Sequence, residues 1–404
     1  MIEIRSKTSR TLEKNAFIGE LEALTHLGTA PFHEASMAVL KELSARILKA
    51  PEARSAPQLM ALGYWLRPAA IKRAAVRFEV RVQEDQVPTS RGLAFHLPPA
   101  NVDTLFVYSW VLSLLAGNAN VVRLPSTMAP VADWLIDVIA DVLESCGEGH
   151  RHMFCAYDHR SGLNKDISAR ADLRMIWGGD AKVLAASGDP VRPDGLSLGF
   201  SDRKSFCVLK TETYGSLDDA GRNDLAARLY NDIYWFDQLG CGSPRIVVWV
   251  GAPGDLSKDL YQRLLAKTQN QHYDVETGVA IAKFSFINDM LASGRAHKGA
   301  IFGNALGVLD VEVSANVLDN VQGGGLLLDS HVPDLSGILP LIDRRTQTLS
   351  SFGFDQQELM TLARSMVGKG GFRIVPVGEA LSFEETWDGI PLLDHMTRRI
   401  TVRA

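Results

Sequence analysis

The chain has 404 residues, 46% of them hydrophobic and 22% charged, and a formal net charge of −5. These values fit an ordinary soluble globular protein of roughly two or three domains, and the absence of any basic stripe speaks against nucleic acid or an anionic membrane as partners. Four scattered cysteines are too few for a disulfide framework and indicate a reducing compartment.

The opening "MIEIRSKTSRTLEKN" has no apolar core and does not read as a signal peptide. Residues 1–90 give helical patches with breaks at "APEARSAPQ" and "QEDQVPTS". From Arg91 the pattern is regular. "RGLAFHLPPAN" predicts a strand running into a proline turn, and Asp103 is placed to cap the apolar helix that follows and stops at Gly117-Asn118. The apolar run from Leu105 to Ala116 is too short to span a bilayer, so a cytoplasmic protein without a membrane span is expected.

"NVVRLP" predicts a short buried strand. Val131, Trp134, Leu135, Val138, Ile139, Val142 and Leu143 then recur at helical spacing. "LRMIW" and "FCVLK" are further strands. Strands alternating with helices imply a parallel sheet covered on both faces, with ligands beyond the carboxyl ends of the strands. The turns "LPPAN", "RLPST" and "WGGD" are therefore the places to look.

A second unit follows "FCVLK". Ser216 with Asp219 suggests a capping box, and Leu225, Leu229, Ile233 and Phe236 line one helix face. "DQLGCGSPR" comes next, then a strand "RIVVWVG" and a helix marked by Leu256, Leu260 and Leu264. A domain boundary near residue 211 fits this change.

Each candidate for chemistry has a plain structural reading beside it. Cys241 is either a small residue in a tight turn or a nucleophile bared by Gly240 and Gly242 so that a bulky electrophile can approach. Asn101 is a turn residue or an uncharged oxyanion donor. Arg123 and Ser126 end a strand, where a cation and a hydroxyl suit a nucleotide ribose or phosphate. Gly178 and Gly179 let a helix N-terminus approach a phosphate, without a full GxGxxG fingerprint. His150, His152, Cys155 and His159 match no common zinc spacing, although the two nearer histidines would share a face on a strand. No metal site is expected, and "NVQGGGLLLDS" reads as a flexible turn.

In order, "PPANVD", "LLAGNANVVRLPS", "IWGGDAKV", "DQLGCGSPR", "RRTQTLSSFGF" and "RIVPVGEALSFEETWDGI" resemble the LuxC-type fatty acyl-CoA reductases of the aldehyde dehydrogenase superfamily, from about Arg91 to the C-terminus. The resemblance implies an α/β fold: a Rossmann-type cofactor domain, an α/β catalytic domain, and an active site in the cleft between them. It implies Cys241 as nucleophile, with Gln238 matching a glutamine upstream, and Asn101 in the oxyanion hole. Arg123 and Ser126 fall where the superfamily grips the adenosine ribose, and Gly179 where a glycine lies against the cofactor pyrophosphate.

Where hydrolytic relatives carry a glutamate base, this chain has "GFSDRKSF", with Phe200 or Ser201 at the position. Without that base water is poorly activated, which implies acyl-thioester reduction rather than aldehyde oxidation. The expected organisation is residues 1–90 as a helical or irregular segment joined to the cofactor domain, 91–210 as the nicotinamide-cofactor domain, 211–375 as the catalytic domain, and 376–404 as a tail.

The expected reaction is NADPH-dependent reduction of an acyl-CoA to the aldehyde through an acyl group on Cys241, with NADH as the alternative reductant. The substrate is an acyl-CoA or acyl-protein thioester, and an acyl-protein synthetase and a homo-oligomer are the implied partners. The alternatives are an oxidising aldehyde dehydrogenase, an acyl-phosphate reductase, and a non-catalytic acyl-binding partner of a synthetase.

Overall fold

Two seven-stranded sheets organise the chain. The computed structural model describes residues 1–99, 104–125 and 128–403. Asn101, Asp103 and Ser126 lie outside the described residues. The chain divides into two compact units, residues 1–201 with 383–404, and residues 202–382.

The first unit contains β1 (Ile2–Arg5), β2 (Arg10–Leu12), β3 (Gln86–Ser90), β4 (Leu93–Leu97), β5 (Ala119–Arg123), β6 (His152–Ala156), β7 (Leu173–Trp177) and β8 (Leu196–Phe200). Its sheet runs β2-β1-β6-β5-β4-β7-β8. β6, β5, β4, β7 and β8 are parallel, whereas β1 joins β6 antiparallel. All of β4 is buried, as a parallel strand covered on both faces must be.

Successive side chains point to opposite faces. Ala94 and Val122 therefore face a core built from the Leu105–Leu115 and Pro130–Ser145 helices. Leu93, Phe95 and Val121 face a second core with Phe17, Leu21 and Ile167. Residues 1–90 contribute more than the expected helical or irregular segment. β1 and β2 extend the sheet, a role hidden in the sequence because two short strands with charged positions carry little apolar periodicity.

The second unit has β9 (Lys204–Lys210), β10 (Pro244–Val250), β11 (Lys298–Phe302), β12 (Leu306–Asp310), β13 (Leu326–Val332), β14 (Thr346–Phe352) and β15 (Arg373–Pro376), in the order β11-β12-β13-β10-β9-β14-β15. All neighbours are parallel except β11 with β12. The "FCVLK" strand, β9, is bonded to β10 and β14 on its two sides, so the division between units falls at Ser201 and Asp202, ahead of residue 211.

The final segment returns to the first unit. There β16 (Thr386–Trp387) pairs with β17 (Ile390–Pro391), and β18 (Thr397–Thr401) pairs antiparallel with β3. Tyr108 Oη donates to Glu384 O, and Asn118 Nδ2 donates to Met396 O.

Three local expectations change. Asp218, not Ser216, caps the Asp219–Tyr234 helix by accepting from Gly221 N. Leu225, Leu229 and Ile233 are buried on that helix, but Phe236 lies past its end. His150 sits in a short 3-10 turn, so it does not share a strand face with His152.

His152 instead belongs to a buried polar network. Asn120 Nδ2 donates to Asn118 O, which turns its Oδ1 toward His96 Nε2 at 2.9 Å. His96 Nδ1 lies 2.8 Å from Ser109 Oγ, and His152 Nδ1 accepts from Trp110 Nε1. Among the described residues, no helix is long and apolar enough to cross a membrane.

Candidate active site

The turn that carries Cys241 begins where the Asp219–Tyr234 helix stops. Phe236, Asp237 and Gln238 follow with φ of 55°, 52° and 62°. Each L-residue held in the left-handed region costs about 1–2 kcal/mol, so the three together cost roughly 3–6 kcal/mol. Hydrogen bonds offset this. Gln238 Nε2 donates to Pro244 O at 2.8 Å and Leu326 O at 2.9 Å, and its Oε1 accepts from Gly325 N at 3.0 Å. Asp237 O accepts from Gly324 N, and Asp237 Oδ1 accepts from Tyr273 Oη. At about 1 kcal/mol net each, these five bonds offset most of that cost.

Cys241 is exposed, whereas Cys155 and Cys207 are buried and Cys146 is intermediate. Ser243 N donates to Gly240 O at 3.0 Å and closes the turn around the thiol. Ser205 Oγ donates to Cys241 O at 2.6 Å, tying the same turn to β9. A Cβ on Gly242 would stand 2.2 Å from Ala380 O, so only glycine allows the backbone this close. Asp232 holds the opposing segment by accepting from Gly378 N and Ala380 N. Burial, partly offset by those N–H groups, pushes its carboxyl up to about 7.

Arg245, at the start of β10, is a charged group that feels Cys241. Burial pushes its guanidinium down to about 10, opposed by attraction to the cysteine. Its Nη1 has no hydrogen-bond partner among the described residues. A cation so placed favours a thiolate over a thiol. "NVQGGGLLLDS" is not the flexible turn expected: Gly325 has φ of 79°, and a Cβ there would meet Ala305 O at 2.1 Å. Lys283 Nζ clamps the same segment by donating to Gly324 O and Asn304 O.

Arg123, Gly178 and Gly179 lie in the first unit. β5, β4 and β7 are adjacent and parallel; the chain runs from β4 through β5 and β6 on one side and then crosses to β7 and β8 on the other, which makes the carboxyl ends of β4 and β7 a topological switch point. Arg123 ends β5 with its guanidinium 5.1 Å from the Tyr157 ring centre, and its Nε has no partner among the described residues. Gly179 is the N-cap of the Asp180–Ser187 helix. A Cβ on Gly178 would lie 2.7 Å from the Lys182 side chain. The glycine thus lets Lys182 fold back and donate from Nζ to Pro98 O at 2.7 Å, just past β4.

Burial and the nearby Arg123 push Lys182 down to about 8. Two cations facing one strand edge suit a phosphate-bearing dinucleotide. Phe200 closes β8 with its ring stacked on Trp177 at 4.0 Å.

Lys182, Arg245 and Asp232 were missed from the sequence. Lys182 sits in the "GGDAK" turn already singled out, and Arg245 follows Cys241 closely. Asp232 interrupts the apolar stripe of Leu225, Leu229 and Ile233, which was a legible signal.

The family model of the acyl-CoA reductases (LuxC) matches residues 76–277. The chain belongs to the LuxC acyl-CoA reductase family. No curated protein matches the sequence. Solved structures agree in fold with this LuxC-family protein. Aldehyde dehydrogenase 21 from Physcomitrella patens, in complex with succinate, is 13% identical, with 96% of this chain and 88% of that one covered at a TM-score of 0.67. For a putative aldehyde dehydrogenase from Burkholderia cenocepacia the figures are 17%, 98%, 93% and 0.66. For glyceraldehyde-3-phosphate dehydrogenase GapN from Methanocaldococcus jannaschii, complexed with NADP, they are 13%, 96%, 93% and 0.65. The LuxC-family protein therefore has the aldehyde dehydrogenase fold, and its family is one of oxidoreductases acting on acyl groups.

Proposed function

We propose that this protein reduces an acyl-CoA, with a fatty acyl chain as the favoured substrate, to the aldehyde through an acyl group carried on Cys241, using NADPH. The observation that carries the reading is the exposed Cys241 thiol in a turn fixed by Ser205 and by the Gly242 contact with Ala380.

In this reading Cys241 attacks the thioester carbonyl, and CoA leaves as a thiolate that takes up a proton. Asn101 and backbone N–H groups donate to the oxyanion. Arg123, Lys182, Gly178 and Gly179 hold the cofactor phosphates, and Ser126 its ribose. NADPH, when bound, supplies the hydride, with NADH as the alternative. Cys241 departs as a thiolate when the reduced thiohemiacetal collapses to free aldehyde. Phe200, packed on Trp177, or Ser201 stands at the position implied for a hydrolytic base, and neither is a carboxylate, which favours reduction over hydrolysis. An acyl-protein synthetase that delivers the acyl group, and a homo-oligomeric assembly, belong to the same proposal.

The test mixes protein and acyl-CoA without NADPH and looks by mass spectrometry for one acyl adduct on Cys241. Aldehyde production by Cys241→Ala at the parent rate would overturn the reading. Faster turnover of aldehyde with NADP+ than of acyl-CoA with NADPH would instead favour the oxidising alternative.

A further inference from the structure

We propose that Gln238 is the positioning residue that aims the Cys241 thiol, by locking the left-handed turn before it to the starts of β10 and β13. The proposal rests on the reading of Cys241 as nucleophile.

The Gln238 side chain is fully buried, and its amide is satisfied entirely by backbone. Nε2 spends both protons, on Pro244 O and Leu326 O, and Oε1 takes the Gly325 N–H. Pro244 opens β10 and Leu326 opens β13, which are parallel neighbours. One amide therefore fixes the turn to two strands and to the glycine segment between β12 and β13.

Such fixing is needed because Phe236, Asp237 and Gln238 occupy a conformation that unrestrained L-residues leave. If Gln238 let go, the backbone would relax toward negative φ, and Cys241, close behind in the chain, would swing with it. Gly323 and Gly324 belong to the same lock. A Cβ at Gly323 would stand 2.8 Å from Asp237 O, and Gly324 N bonds that oxygen directly. Only a carboxamide does this work, since the site needs two donors and one acceptor on one uncharged planar group, and asparagine is one methylene shorter than Gln238. Glutamate lacks the donors when ionised, and methionine lacks all three groups.

The experiment uses the full-length protein with Gln238→Met and Gln238→Glu. Single-turnover acylation of Cys241 by acyl-CoA is followed by mass, alkylation of the same thiol by iodoacetamide serves as control, and NADPH binding is followed by fluorescence. Acyl transfer needs an aligned attack, and misplacement by about an ångström costs up to about 100-fold. Q238M is therefore expected to slow acylation at least about tenfold, while alkylation by the small reagent and NADPH affinity stay within about threefold.

Q238E should acylate faster as pH falls from about 8 to about 6, opposite to the parent, because protonation of the buried carboxyl restores one donor beside the acceptor it keeps. Q238M acylating at the parent rate would overturn the proposal, as would equal loss of acylation and alkylation. If Q238M does not fold, a Q238E profile that tracks the parent overturns it alone. Continued aldehyde production by Cys241→Ala would instead strike the reading beneath, whatever the Gln238 variants do.

Discussion

Gly242 has no room for a side chain. With a Cβ 2.2 Å from the Ala380 carbonyl, Gly242→Ala must push apart two backbone segments, one of them anchored by Asp232. Relief of such a backbone clash costs about 1–3 kcal/mol. The Gly242→Ala protein is thus expected to melt several degrees lower and to acylate Cys241 more slowly, by calorimetry and single-turnover mass measurement. Gly240 and Gly242 stood out in the sequence because glycines on both sides of a cysteine are chemically pointed. Arg245 did not, since an arginine opening a strand is ordinary until its guanidinium proves buried beside a thiol.

At the scale of elements, the carboxyl ends of β5, β4 and β7 bring together groups far apart in sequence. If Arg123 and Lys182 hold the cofactor phosphates as proposed, Arg123→Met and Lys182→Met are each expected to weaken NADPH binding about tenfold or more, each removing a charge-assisted contact worth about 1.5–3 kcal/mol. Acylation of Cys241 in the absence of NADPH should be unaffected. Because Lys182 is held at about 8, it loses its charge as pH rises through that value. Parent affinity for NADPH should fall above that pH, and K182M should flatten the decline in a fluorescence titration.

The strands of this sheet were legible because β4, β5 and β7 are short runs of apolar residues between turn signals. The helix ends were less so. Ser216 and Asp218 are equally good caps by type, and only the fold decides between them. The glycine segment before β13 misled in the other direction, since a run of glycines reads as slack, whereas Gly324 and Gly325 need φ of 67° and 79° to pack against their neighbours.

For the molecule as a whole, the buried histidines set an acid limit. His96 is held down to about 4, and His152 well below its ordinary value, both chiefly by burial. His96 Nδ1 faces a hydroxyl that also accepts from Trp177 Nε1, and His152 Nδ1 already accepts from Trp110, so protonation would break these contacts. An unfolded histidine takes its proton near 6.5, and the folded His96 only near 4.

Stability from this group is therefore full above 6.5 and is lost as pH falls toward 4. The loss from His96 alone is on the order of 3 kcal/mol. Urea unfolding measured across this window should show the decline, and His96→Gln should make it shallower. No sequence pattern announced this network, because His96, Ser109, Asn120 and His152 meet only once three strands are paired.

The interposed position of residues 202–382 also bears on how the polypeptide matures. As the chain leaves the ribosome, the first sheet emerges early, yet β18, which pairs with β3, is made only after residues 202–382. Until then Tyr108 lacks its Glu384 acceptor and the Trp65 ring lacks Phe383. Domains generally complete as units during synthesis. The half translated later therefore reaches its finished form sooner, and the half translated first waits, with an aromatic face uncovered, for its closing piece.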